Sequence, residues 1–241
     1  MKAAVFSHGV SPPLASQVDH LVVGAATLAE GVQWCEDVLG ITPGLGGEHA
    51  LMGTHNRLLE VATAAFPQAY LEVIAIQSGA PCARPEGAKR WFDLDDTELQ
   101  AQLEKTGPQL VHFVASTPQA QAGVRALARL GLDRGEVLAA SRPTPQGLLA
   151  WKISVRDDGQ RLFFGALPTL IEWSGKHPTQ SMAPSGVKLL SLQAHHPRPN
   201  ALLAAYEAIG LRGVDVTQNP PNLIATLQTP RGVVTLESKG I

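Results

Sequence analysis

The chain alternates between stretches in which apolar residues recur at every second position and stretches in which they recur three or four apart, and the alternation repeats. Residues 109–132, QLVHFVASTPQAQAGVRALARLGL, align without a gap to residues 188–211, KLLSLQAHHPRPNALLAAYEAIGL. Each runs from an apolar strand through a proline (Pro118, Pro197) into an amphipathic helix that closes on Leu-Gly or Ile-Gly. Residues 17–41 follow the same plan with one residue more. In that first helix Thr27 and Glu30 have the spacing of a capping box. Leu28, Val32, Cys35 and Leu39 form one stripe, and Gly40 suits the left-handed position past the end. In the second, Thr117 is placed to cap, with Pro118 in the first turn; Ala120, Val124 and Leu127 make the stripe and Gly131 ends it. The third starts near Pro199 and ends at Gly210.

Strand-like runs follow each helix: 55–62 and 69–77, then 148–155 and 161–173, then 214–217, 222–228 and 232–238. The pattern predicts an α+β chain of repeated βαβββ modules. Two modules, 17–78 and 109–175, pair into one domain over 17–175, interrupted by an insertion at 79–108, and a third module covers 187–239.

Composition narrows the class. At 241 residues, 44% apolar and 17% charged, the chain has a globular balance and enough length to bury a substantial core. A net charge of −2 without a Lys/Arg run argues against nucleic acid or an anionic membrane as a partner. No apolar run reaches membrane-spanning length, and the N-terminal stretch, broken by Gly9, Pro12 and Pro13, lacks a secretory core. Two cysteines, Cys35 on an apolar helix face and Cys82 in a Pro/Gly-rich stretch, suit a reducing compartment, so a cytoplasmic protein is expected. The sequence contains no P-loop, dinucleotide fingerprint, nucleophile elbow or HExxH motif.

Four ionisable residues interrupt apolar strands: His20 in VDHLVV, Glu72 in YLEVIAI, His112 in LVHFVA and Glu172 in TLIEW. Strand parity puts His20 with Val18 and Val22, His112 with Leu110 and Val114, Glu72 with Tyr70 and Ile74, and Glu172 with Leu170. A buried carboxylate must be protonated, paired or metal-bound, and no Lys or Arg in these strands is an obvious partner. Two imidazoles and two carboxylates would neutralise one divalent cation such as Zn²⁺, Ni²⁺, Co²⁺, Mn²⁺ or Fe²⁺, leaving room for substrate.

The pattern resembles the glyoxalase-like domain proteins of the vicinal-oxygen-chelate superfamily. The resemblance covers roughly residues 17–175 and rests on DHLVV, MGTHNRLLEV (52–61), YLEVIAI, RWFDLD and PTLIEW. It implies a curved mixed sheet that cups a metal, with ligands His20, Glu72, His112 and Glu172. It also implies metal-dependent lyase or isomerase chemistry on a small carbonyl or oxygen-rich substrate, in which Glu72 or Glu172 moves a proton. Ring-cleaving dioxygenation fits less well, since Glu172 would be surplus to the usual ligand set. A different reading keeps the cup without metal, as a protein that sequesters a small molecule. His55, Asn56, Arg57 and Trp173 are candidates to line the cup, although parity lets only part of the 55–57 triplet point inward. The third module has Ser191 where His112 stands, with Glu237 in its last strand, which leaves one metal site. That module is free to cover a sheet edge, pair with its copy in a dimer, or shield the site.

Overall fold

The computed structural model describes residues 14–145 and 147–240, so the N-terminal stretch weighed above as a secretory signal lies outside them. In the first wing β1 (Gln17–Gly24) is followed by β2 (Gly44–His49), β3 (Thr54–Glu60) and β4 (Tyr70–Ile76). In the second, β5 (Gln109–Ser116) is followed by β6 (Glu136–Thr144), β7 (Gly147–Val155) and β8 (Thr169–Ser174). Together they form one sheet in the order β2-β3-β4-β1-β5-β8-β7-β6. Each wing closes on a last strand parallel to its first, and the wings meet where β1 and β5 pair antiparallel. That pairing sets His20 against Val114 and Val22 against His112, so His112 is the pseudo-twofold counterpart of His20, and Val114 that of Val22. Arg142 on β6 donates from Nη1 to the Gly46 carbonyl on β2 at 2.9 Å, which ties the two outer edges together. The mixed sheet is curved and nearly closed.

Helix α1 (Leu28–Trp34) starts on the expected capping box: Glu30 N–H donates to Thr27 Oγ1, and Thr27 N–H to the Glu30 carboxylate. It continues as a π turn over Cys35–Leu39 and stops at Gly40, whose φ is 75°. Gly31, Cys35 and Leu39 are buried, Leu28 packs half-buried against the same core, and Val32 stands half-buried beside it. A Cβ on Gly31 would stand 2.3 Å from Val73 Cγ1 on β4. Gly31→Ala is therefore expected to lower stability by about 1–3 kcal/mol through overpacking, more than the ~1 kcal/mol gained in helix propensity. A thermal melt that matched or exceeded the wild type would contradict this close approach.

Helix α3 (Ala120–Ala128) has Gln119 rather than Thr117 at its N-cap, with no capping side chain of its own, while Ala120, Val124 and Leu127 are buried as expected. Residues 162–168, expected within a strand, instead turn through Phe163 and Phe164, at φ 54° and 53°, before β8 begins. The insertion folds as a loop and helix α2 (Thr97–Thr106), whose Leu99 and Leu103 join Trp91 and Phe92 on the concave face with Val22, Ile74, Val114 and Ile171.

The third module has the expected element order: β9 (Lys188–His195), α4 (Pro199–Ala208), β10 (Val214–Thr217), β11 (Asn222–Thr229) and β12 (Gly232–Glu237). Its strands run β10-β9-β11-β12, so the strand parallel to β9 is the one right after the helix, not the last. Glu237 thus lies on an edge strand and accepts from the Asn222 amide at 3.2 Å, away from Ser191. Leu189, Leu223 and Leu227 of this sheet share one core with Leu21, Leu71, Phe113, Leu127 and Leu170. The third module therefore covers the convex, helix-bearing face. Among the described residues no helix is long and apolar enough to cross a membrane.

Candidate active site

Two β-bulges build the site. In the β1–β5 ladder Val18 pairs with Ala115 and His20 with Val114, leaving Asp19 as an extra residue; Val111 is the extra residue on β5. The bulge breaks the alternation, so Val18 joins the convex core while His20 turns with Val22 to the concave side. Asp19, fully buried, accepts from His20 Nδ1 at 2.6 Å, Trp173 Nε1 at 2.9 Å and His177 Nε2 at 3.0 Å. Burial alone would raise its carboxyl, but the hydrogen bonds and charges of His177 and His20 outweigh it and hold Asp19 well below the usual carboxylate range. An ionised Asp19 fixes the proton of His20 on Nδ1 and leaves Nε2 as the ring's basic atom.

His20 Nε2 lies 3.5 Å from Glu72 Oε2, and Tyr70 stacks on the imidazole at 4.5 Å between centroids. Glu72 Oε1 accepts from Asn56 Nδ2 at 2.5 Å. Asn56 is itself fixed: its Oδ1 accepts from Gly47 N–H at 2.8 Å, and its Nδ2 lies 3.3 Å from His49 Nε2. Burial brings His49 down to about 4, so the ring is neutral, with Nδ1–H donating to Thr54 Oγ1 at 3.0 Å and Nε2 accepting from Asn56. One Glu72 oxygen is thus held and the other faces the basic nitrogen of His20.

The second wing does not reproduce this pair. β1–β4 pairing sets Val22 against Glu72, whereas β5–β8 pairing sets the counterpart Val114 against Thr169. The register counterpart of Glu72 is therefore Thr169, and Glu172 lies three residues on, an odd offset that turns it to the convex face with Leu170. There it accepts from Lys152 Nζ at 2.8 Å, its cross-strand neighbour, and from Ala120 N–H at 2.9 Å, completing the cap of α3. Burial opposes ionisation of Glu172, but Lys152 and the helix amide prevail and its carboxyl sits below its ordinary value. His112 is committed too: Nδ1 donates to the Gly165 carbonyl at 2.8 Å and Nε2 accepts from Thr169 N–H at 3.1 Å. Arg134, buried, donates to Thr169 Oγ1 and, at 2.9 Å, to the Pro168 carbonyl.

The expected ligand set of His20, Glu72, His112 and Glu172 is accordingly corrected: His20 and Glu72 meet, while His112 is locked in the core and Glu172 faces the other way. The residues present do not fit a two-histidine, two-glutamate cation centre. Among the described residues no cluster of three or more His, Cys, Asp or Glu is arranged to hold a metal.

Of the other candidates, Asn56 and Trp173 line the cup, and His55 and Arg57 do not. The cup also draws on residues that parity and repeats could not supply: His49 from β2, Arg142 from β6, and Trp91 and Phe92 from the insertion. Trp151 and Trp173 face one another across β7 and β8 at 5.7 Å. The cavity volume is about 30 Å³, room for roughly two waters, and the empty space of the cup, open solvent at its mouth included, comes to about 410 Å³.

The chain matches the family described as glyoxalase-like domain over residues 18–210. No curated protein matches it. A hypothetical protein from Staphylococcus aureus superposes with TM-score 0.54 at 13% identity, over 92% of this chain and 85% of its own, and shares the fold. Methylmalonyl-CoA epimerase from Mycobacterium tuberculosis gives TM-score 0.39 at 16% identity over 73% and 98%. A 4-hydroxymandelate synthase mutant from Streptomyces coelicolor gives 0.43 at 12% over 93% and 63%. With the family matched over most of its length and the paired-wing sheet in place, the chain belongs to the glyoxalase-like domain family.

Proposed function

We propose that this protein is a proton-transfer enzyme of isomerase or lyase type acting on a small carbonyl compound, with Glu72 and His20 as the working pair. The observation that carries the reading is the 3.5 Å approach of His20 Nε2 to Glu72 Oε2 inside an aromatic cup, each group oriented from behind by its own partner, Asp19 or Asn56. Glu72 Oε2 takes a proton from the carbon next to the carbonyl, and the C–H electron pair moves onto the carbonyl oxygen as an enolate. His20 Nε2 exchanges that proton with Oε2 and returns it to the substrate. The Trp, Tyr and Phe walls exclude water from the enolate.

The test is deuterium wash-in: NMR of a panel of neutral ketones and of 2-oxo acids in heavy water with the wild-type protein. Faster exchange at the carbon next to the carbonyl supports the reading, and background exchange for every compound sinks it. A second reading, a small-molecule sequestering protein, is favoured by one feature, the supply of a hydrogen-bond donor to Glu72 by Asn56. It expects tight binding with no exchange.

A further inference from the structure

Arg142 is half-buried on the inner side of β6 and lines the cup. Among the described residues its guanidinium makes one hydrogen bond, from Nη1 to the Gly46 carbonyl, and no ion pair. A guanidinium carries five N–H donors, so Arg142 keeps N–H groups on the cup side that no protein acceptor takes, with the Glu72 carboxylate near enough for its charge to be felt. A second donor lies in the same wall: Trp91 Nε1 is buried without an acceptor, although a buried indole N–H normally finds one. The two donors belong to different elements, an edge strand and the insertion, and only the indole N–H is buried without a partner. Trp151 and Trp173 line the same cup as flat apolar walls.

Resting on the reading of this cup as a small-molecule site, we infer that its ligand is a small carboxylic acid with a flat, apolar or aromatic body. The carboxylate accepts from the free N–H groups of Arg142 and from Trp91 Nε1, and the body lies along the indoles. Arg is suited to this role because its planar fork meets both carboxylate oxygens. Glu72 repels an anion, and its charge also reaches Arg142 in the same cup, but Asn56 already engages one of its oxygens.

The experiment is a titration of the wild-type protein with benzoate and phenylacetate against the neutral isosteres benzamide and phenylacetamide, followed by tryptophan fluorescence. The acids are expected to bind about tenfold or more tightly than the amides. Arg142→Gln, which keeps hydrogen-bonding capacity without charge, is expected to bind acid and amide alike, and Arg142→Lys to restore part of the preference. Trp91→Phe, which keeps the ring and loses the N–H, is expected to weaken acid binding several-fold. Near-ultraviolet circular dichroism checks that each variant keeps its core. Equal binding of acid and amide by the wild type, no binding of either, or a preference that survives in folded Arg142→Gln overturns the inference. Glu72→Gln separates this result from the proton-transfer reading: it is expected to retain the acid preference, strengthened by the loss of one negative charge. Acid preference without wash-in for any compound leaves the anion site standing and removes the catalysis; wash-in on neutral ketones without acid preference does the reverse.

Discussion

Glu72→Gln is expected to slow deuterium wash-in by about 10²–10⁴-fold, the usual contribution of a positioned general base, while leaving the melting temperature nearly unchanged. The amide oxygen of Gln still accepts from Asn56 Nδ2, so the support behind residue 72 is kept and only the basic oxygen facing His20 is lost. His20→Gln is expected to show a comparable loss of exchange, because the proton taken by Glu72 then lacks the neighbour that exchanges it. The double variant should lose little more than either single one, since the two groups act as a unit. His112→Gln should keep wash-in near the wild-type rate, because His112 bonds Gly165 and Thr169 and does not line the cup. If Glu72→Gln exchanges at the wild-type rate, the base is elsewhere. If His112→Gln abolishes exchange with the fold intact, the two-histidine arrangement expected from the repeats regains its force.

The fold was legible in the sequence wherever burial was two-sided or one-sided and regular. β1, β3, β4, β5 and β7 carry apolar patterns strong enough to place, and the capping box of α1 and the glycine after it mark that helix at both ends. β2 and β6 escaped because they are the outer edges: GLGGEH has almost no apolar content, and EVLAASRPT contains a proline and an exposed polar face. With them went His49 and Arg142, which no repeat could have pointed to. Within the site, His20, Glu72 and Asn56 follow from parity, but Asp19 does not, since alternation sends the neighbour of an inward residue outward and only a bulge reverses this. Glu172 misled for a related reason. Motif likeness makes the two glutamates look equivalent, whereas sheet register depends on where β8 begins. Pro168 delays that start, so Thr169 rather than Glu172 faces the counterpart of Val22. Lys152 is not an obvious partner in the sequence because its pairing with Glu172 exists only across strands.

Acidification from pH 7 toward pH 5 is expected to destabilise the protein steeply, and the two buried neutral histidines are the cause. Burial brings His49 down to about 4 and, reinforced by the nearby charges of Arg134 and Arg161, depresses His112 well below its ordinary value. In the unfolded chain both titrate near 6.5. Between about 6.5 and their folded values the unfolded state therefore binds more protons, so stability is full above about pH 6.5 and falls as pH drops through this window. Each histidine contributes up to about 1.4 kcal/mol per pH unit, and together they remove roughly 2–3 kcal/mol per unit, a large fraction of the ~5–15 kcal/mol typical of a domain. The depressed carboxyl of Asp19 adds its own loss only from about pH 4 downward, where the unfolded chain takes up a proton that the folded Asp19 still excludes. Urea midpoints at pH 7, 6 and 5 measure the slope. His112→Gln is expected to cost about 1–3 kcal/mol at pH 7, because the amide only partly replaces the bonds to Gly165 and Thr169, yet to flatten the slope by about half. A wild-type midpoint that does not move between pH 7 and pH 5 would mean that protons reach these rings in the folded state. The neutral His49 that accepts from Asn56, and with it the fixed orientation of Glu72, would then have to be given up.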